Sequence, residues 1–61
     1  MQSIYDLNMK MATDMLAEKG QKSYRAKQLF QWLYRKRVGS FQVMTDMPAS
    51  LLEELAQEYS I

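Results

Sequence analysis

Apolar residues along this chain recur at spacings of three and four and nowhere alternate with period two over the length of a strand, so the pattern predicts helices throughout. From about Asn8 to Lys19, Met9, Met11, Ala12, Met15 and Leu16 share one broad face opposite Lys10, Thr13, Asp14 and Glu18, and that face is expected to meet the core. Asn8 suits the N-cap, Leu7 before it can staple onto Ala12, and Gly20 suits the position just past the last turn. From about Tyr24 to Arg37, Ala26, Leu29, Phe30 and Leu33 recur at i, i+3, i+4 and i+7, with Tyr34 and Arg37 on the border of the stripe. Ser23 suits the cap of this second helix, the basic turn Arg35-Lys36-Arg37 suits its C-terminal dipole, and Gly39 is expected to end it.

Two weaker signals follow. Ser40 is a candidate N-cap for a short helical turn to Met44, with Phe41 and Met44 spaced to pin it to the core. Pro48 suits the first turn of a last helix to about Tyr59, with Leu52, Leu55, Ala56 and Tyr59 as its apolar stripe and Glu53, Glu54 and Glu58 turned to solvent or to the basic helix. The expected fold is all-α: three helices and a short helical turn around one core, as a single domain over residues 1–61. At 61 residues such a core is marginal.

Composition removes whole classes of chemistry. There is no Cys and no His, so the residues that most often serve as thiolate nucleophiles, iron–sulfur or zinc ligands and acid–base groups are missing, and no catalysis is expected of this segment. The longest apolar runs are far short of the ~20 residues of a membrane span, and the start lacks the layout of a secretory signal, so a soluble, cytoplasmic, monomeric chain is expected.

The net charge of +1 conceals an asymmetry. Residues 1–18 set Lys10 against Asp6, Asp14 and Glu18, and residues 38–61 carry Asp46, Glu53, Glu54 and Glu58 with no cation. Between them Lys19, Lys22, Arg25, Lys27, Arg35, Lys36 and Arg37 stand with no acid at all. On the second helix Arg25, Lys27, Gln28, Gln31, Arg35 and Lys36 gather away from the apolar stripe. Long cations with amides among them suit a nucleic-acid backbone, where they displace condensed counterions and bond phosphate, sugar or base edges. Three other readings stand beside this one: ordinary surface charge paired with the acidic last helix, a helix-turn-helix DNA reader, and a module that docks on a protein through its Met-rich or acidic helix. Trp32, at the edge of the stripe, either stacks on an unpaired base or packs against the core.

The block Tyr24-Arg25-Ala26-Lys27-Gln28-Leu29-Phe30-Gln31-Trp32-Leu33-Tyr34, followed by Lys36-Arg37-Val38, Ser40-Phe41 and Met44-Thr45, closely resembles the N-terminal region of the RlmN/Cfr family of radical S-adenosylmethionine methyltransferases. The resemblance runs from Tyr5-Asp6-Leu7 through Gly20 to Leu51, Leu55 and Tyr59, with departures at Lys10, Met11, Ala12, Gln42 and Val43. It implies a helix-hairpin-helix-like accessory domain that helps an adenine C2-methyltransferase bind ribosomal or transfer RNA, RlmN-like rather than Cfr-like, and that belongs to a longer chain. Its partners would be the RNA and the catalytic radical S-adenosylmethionine domain of the same chain. The S-adenosylmethionine and the 4Fe-4S cluster, with its Cys-x3-Cys-x2-Cys motif, are implied for that longer protein and not for this segment. The residues expected to face RNA are Arg25, Lys27, Gln28, Gln31, Arg35, Lys36 and Arg37, with Trp32 as a candidate stacking residue.

Overall fold

A computed structural model describes all of residues 1–61. Three helices carry the fold: α1, Met9–Glu18; α2, Tyr24–Phe30, which runs on into a π-helical segment at Gln31–Arg35; and α3, Ala49–Glu58. Single 3-10 turns at Ile4–Asp6 and Phe41–Val43 pack the connections. A two-residue strand at each end, β1 (Gln2–Ser3) and β2 (Tyr59–Ser60), pairs in parallel with Gln2 opposite Tyr59 and Ser3 opposite Ser60. The mostly helical architecture agrees with the sequence reading. The strand pair escaped it because two residues are too few to show an alternation.

The ends of α1 follow the sequence signals closely. The Asn8 side chain accepts the Met11 N–H at 2.8 Å from an extended backbone, satisfying one of the donors a helix start leaves free. At the other end Gly20 adopts φ +79°, the Gly20 N–H bonds the Ala17 carbonyl and the Gln21 N–H bonds the Leu16 carbonyl, the paired bonds of a Schellman closure. Ala12 and Leu16 are buried, and Leu7 joins the same core. Met9 and Met11, expected in that core, are instead exposed. The buried strip of α1 is narrower than the apolar arc of its sequence, and α2 is the element that covers most of it.

The second helix departs further from its sequence reading. Ser23 gives no side-chain cap, because its backbone is already helical (φ −59°, ψ −30°) where a capping side chain needs an extended one. Its carbonyl serves instead, accepting the Ala26 N–H at 3.1 Å. Beyond Phe30 the hydrogen bonds lengthen in register, the Lys36 N–H reaching the Gln31 carbonyl and the Val38 N–H the Trp32 carbonyl. The helix ends at Arg35, two residues short of the expected Arg37, and the left-handed turn that follows is taken by Arg37 itself, at φ +52°, and not by Gly39. Leu33 nevertheless stays in the core with Ala26 and Leu29, while Phe30 is half-buried at its edge.

Phe41, Met44 and Met47 seat the connection under α3, although Ser40 makes no side-chain cap. α3 begins one residue after Pro48, whose carbonyl accepts the Leu52 N–H, and buries Leu51, Leu52 and Leu55. Leu51 was not in the expected stripe, nor was Ile4, which the first 3-10 turn places wholly inside. All thirteen buried residues are apolar, so every charge is left on the surface. No helix is long and apolar enough to cross a membrane.

The two caps make a paired prediction. Asn8→Ala should cost ~1 kcal/mol, a fall of about 4–8 °C in Tm for a domain of this size, and Gly20→Ala at least as much, since alanine strains at that φ even though open space surrounds it. Arg37→Gly should leave Tm level or raise it, because glycine relieves the left-handed strain there. Thermal unfolding followed by circular dichroism measures all three.

Candidate nucleic-acid interface

The structure divides the expected RNA-facing residues between two sides of α2. On one side Lys27, Gln31 and Arg35, spaced by four, stand along an open groove of about 440 Å³ whose other lining residues are Met9, Phe30 and Tyr34. Met9 comes from the first turn of α1, so the groove lies where the two helices meet. Its lining contains cations, an amide, a thioether and two aromatic rings, and no carboxylate.

The aromatic floor is held in place. The Tyr34 ring lies 5.3 Å from that of Tyr5 in an edge-on arrangement, and 5.2 Å from Phe30 at a tilt. Tyr5 is itself fixed, because its hydroxyl donates to the Leu33 carbonyl at 3.0 Å, one of the acceptors that the end of a helix leaves without a partner in the helix. The 3-10 turn at Ile4–Asp6 thus braces the π-helical segment from outside.

On the other side Arg25, Gln28, Trp32 and Lys36 are tied to the fold or to each other. Arg25 Nη1 donates to Gln28 Oε1 at 2.8 Å and to the Asp46 carbonyl at 3.1 Å, and its guanidinium lies over the Tyr24 ring. Trp32 packs on the core and donates from Nε1 to Asp46 Oδ1 at 2.7 Å, with Lys36 Nζ 4.1 Å from its ring centre. These contacts clip α2 to the loop before α3. Arg37 stands apart, exposed on its left-handed turn.

Ion pairing leaves most of the basic segment free. Lys19, with only 14% of its side chain exposed, pairs with Glu54 at 3.3 Å and with Glu58. The only other ion pair is Lys10 with Asp14 inside α1. Lys22, Arg25, Lys27, Arg35, Lys36 and Arg37 have no carboxylate within 4.0 Å. The acidic last helix therefore neutralises one cation of the seven.

Met9, Phe30 and Tyr34 were missed as site residues. Their spacing in the sequence assigns all three to the core or its border, and only the junction of α1 with α2 makes them a surface. The donor set does not fit an iron–sulfur cluster, since the chain has no cysteine and no group of three or more His, Asp, Glu or Cys that could hold a metal ion.

Compared with known proteins, residues 2–61 match the model of the ribosomal RNA large subunit methyltransferase N-terminal domain. The chain belongs to that family. It is 47% identical over 98% of its length to a probable dual-specificity RNA methyltransferase RlmN of Staphylococcus carnosus, and 42% identical over 97% to the corresponding protein of Streptococcus suis. In each case it spans 16% of the relative's length. A solved radical SAM methyltransferase from Sphaerobacter thermophilus superposes with a TM-score of 0.89 at 34% identity, over 97% of this chain and 17% of that one. The RlmN-type match takes in both sides of α2, groove and clip alike.

The Lys19 pairing has a pH signature. Its pKa is raised above the ordinary lysine value, chiefly by the hydrogen bond to Glu58, against an opposing effect of burial. Because the folded state binds this proton more tightly, the stabilisation is complete below the unfolded lysine value and is lost as pH rises through the folded one. The Tm should therefore fall more steeply above pH ~10.5 for the native chain than for Lys19→Met. Parallel declines would show that the pairing contributes nothing.

Proposed function

We propose that this chain is the RNA-binding accessory domain of an RlmN-type radical SAM methyltransferase that modifies adenine in ribosomal and transfer RNA. The reading rests on one observation above the rest: six of the seven cations between residues 19 and 37 lack a carboxylate partner, and two of them flank an apolar groove. Helical cations left unpaired around a concave surface are what a phosphate backbone requires. Family membership supplies the substrate class, because the relatives are named as dual-specificity RNA methyltransferases.

In this reading the chain binds and orients while chemistry happens elsewhere. S-adenosylmethionine and the 4Fe-4S cluster are assigned to a catalytic radical SAM domain, which is also this domain's second partner. Lys27 and Arg35 supply phosphate contacts, Gln31 an amide for sugar or base edge, and Lys36 and Arg37 further positive charge at the end of the helix. Arg25 and Gln28 contribute mainly by holding that helix in place, since Arg25 Nη1 is already bonded to Gln28 Oε1 and to the Asp46 carbonyl.

The test is a titration of the chain with transfer RNA across a range of salt. With about four phosphates neutralised, log K should fall with log salt at a slope near −3 to −4, and Lys27→Ala with Arg35→Ala should weaken binding and flatten that slope by ~1.5. Both positions are exposed, so the double variant should keep its circular dichroism spectrum. Unchanged affinity and slope in that folded variant would overturn the reading.

A further inference from the structure

The groove holds more than the phosphate contacts need. A double-stranded RNA offers a protein its phosphates, sugars and a shallow groove, and its base faces are hidden in the stack. Salt-bridging to such a surface requires cations alone. Here the cations stand at the rim of an apolar floor: Tyr34 is 49% exposed and Met9 42%, with Phe30 half-buried between the helices. That floor is preorganised, because Tyr34 is wedged against Tyr5 and Phe30, and Tyr5 is anchored on the Leu33 carbonyl.

Several occupants can be weighed on this chemistry. An acidic peptide would satisfy the rim without using the aromatic rings. A second copy of the chain would bring cations against cations, since the same groove carries Lys27 and Arg35. A flat, apolar-faced group that carries negative charge on both flanks satisfies rim and floor together, and an unpaired nucleotide is such a group. Its base has a π-face for Tyr34 and a polarisable thioether contact in Met9. Its edge has donors and acceptors for the Gln31 amide, which sits between the two cations in sequence and lines the same wall.

We propose that the groove between α1 and the π-helical segment of α2 receives one unpaired base of the RNA substrate, stacked against Tyr34 and Met9, with Lys27 and Arg35 on the phosphates that flank it. This deepens the RNA-binding reading and rests on it. It makes the domain a reader of RNA structure, selecting loops or bulges over continuous duplex by what the floor can accept and indifferent to which base it receives.

Two RNA probes test this with the 61-residue chain: a hairpin with 2-aminopurine in its loop, and a blunt duplex of the same length with no unpaired residue. Binding should quench the loop 2-aminopurine, and the hairpin should bind more tightly than the duplex. Tyr34→Ala with Met9→Ala should weaken hairpin binding about 5- to 100-fold while leaving duplex binding and the salt slope unchanged. Tyr34→Phe should retain the preference, because the ring remains. Lys27→Ala with Arg35→Ala should weaken both RNAs and flatten both slopes. Circular dichroism checks each variant, and if Tyr34→Ala fails to fold, Met9→Ala alone and the quench in the native chain still decide.

Absence of quench, or equal hairpin affinity in the native and Tyr34→Ala/Met9→Ala chains, would overturn the base site. If the Lys27 and Arg35 dependence persisted in that case, the RNA-binding reading would stand without it. If neither pair of substitutions altered binding, both readings would fall together.

Discussion

The hydrogen bond from the Lys36 N–H to the Gln31 carbonyl, five residues back where an α-helix would use four, governs what the basic helix can present. It opens the last turn of α2 into a π-helical segment and carries the chain to a left-handed Arg37, after which the Val38 N–H returns to the Trp32 carbonyl. A helix end of this kind leaves carbonyls without backbone donors, and the Tyr5 hydroxyl takes the one at Leu33. The position of Tyr5 then fixes Tyr34 by an edge contact, and Tyr34 forms part of the floor of the groove. One altered register in the backbone is thus linked, through a single side-chain hydroxyl, to the shape of the surface. Such π-segments are found often at functional sites, and here the reason is geometric.

The same helix divides its polar residues by task. Arg25, Gln28 and Trp32 are spent on the fold, clipping α2 to the loop around Asp46, and their exchange for alanine would disturb packing as well as charge. Lys27, Gln31 and Arg35, one turn apart on the groove side, have no side-chain partner in the fold. A count of positive charge along the sequence weighs these two groups alike. Their physical roles differ, because a guanidinium held by an amide and a carbonyl through one of its nitrogens has fewer donors and less freedom left to offer a phosphate, whereas a solvated ammonium has only water and counterions to release.

Much of the fold was legible because it rests on local rules. Asn8, Gly20, the Ala26/Leu29/Leu33 stripe and the Phe41/Met44 anchor all act through spacings of a few residues, which the sequence displays directly. What escaped depends on contacts between distant segments. The strand pair joins residues near opposite ends of the chain, and the Tyr5 hydroxyl reaches the Leu33 carbonyl at the end of α2, where the left-handed turn falls to Arg37 in place of Gly39. The site was half legible for the same reason. The cations are visible as a run without acids, but Met9 and Tyr34 read as interior until the crossing of α1 and α2 is known.

Exposed apolar residues by themselves say little, since even stable proteins leave much apolar surface in water. Met11, Tyr24 and Val43 are exposed here and need no account. Met9 and Tyr34 differ because they come from separate helices, meet Phe30 at one concavity, and are ringed by charge of one sign. A core this small gains from every apolar side chain it can enclose, at about 25 cal/mol for each Å² removed from water. Leaving a thioether and a phenol ring converged and uncovered forgoes part of that gain at one place. Bracing the ring with Tyr5 adds order to a surface that stability alone would have let move. Convergence, bracing and unpaired cations are separate observations, and a ligand that is flat, apolar on its faces and anionic on its flanks accounts for all three.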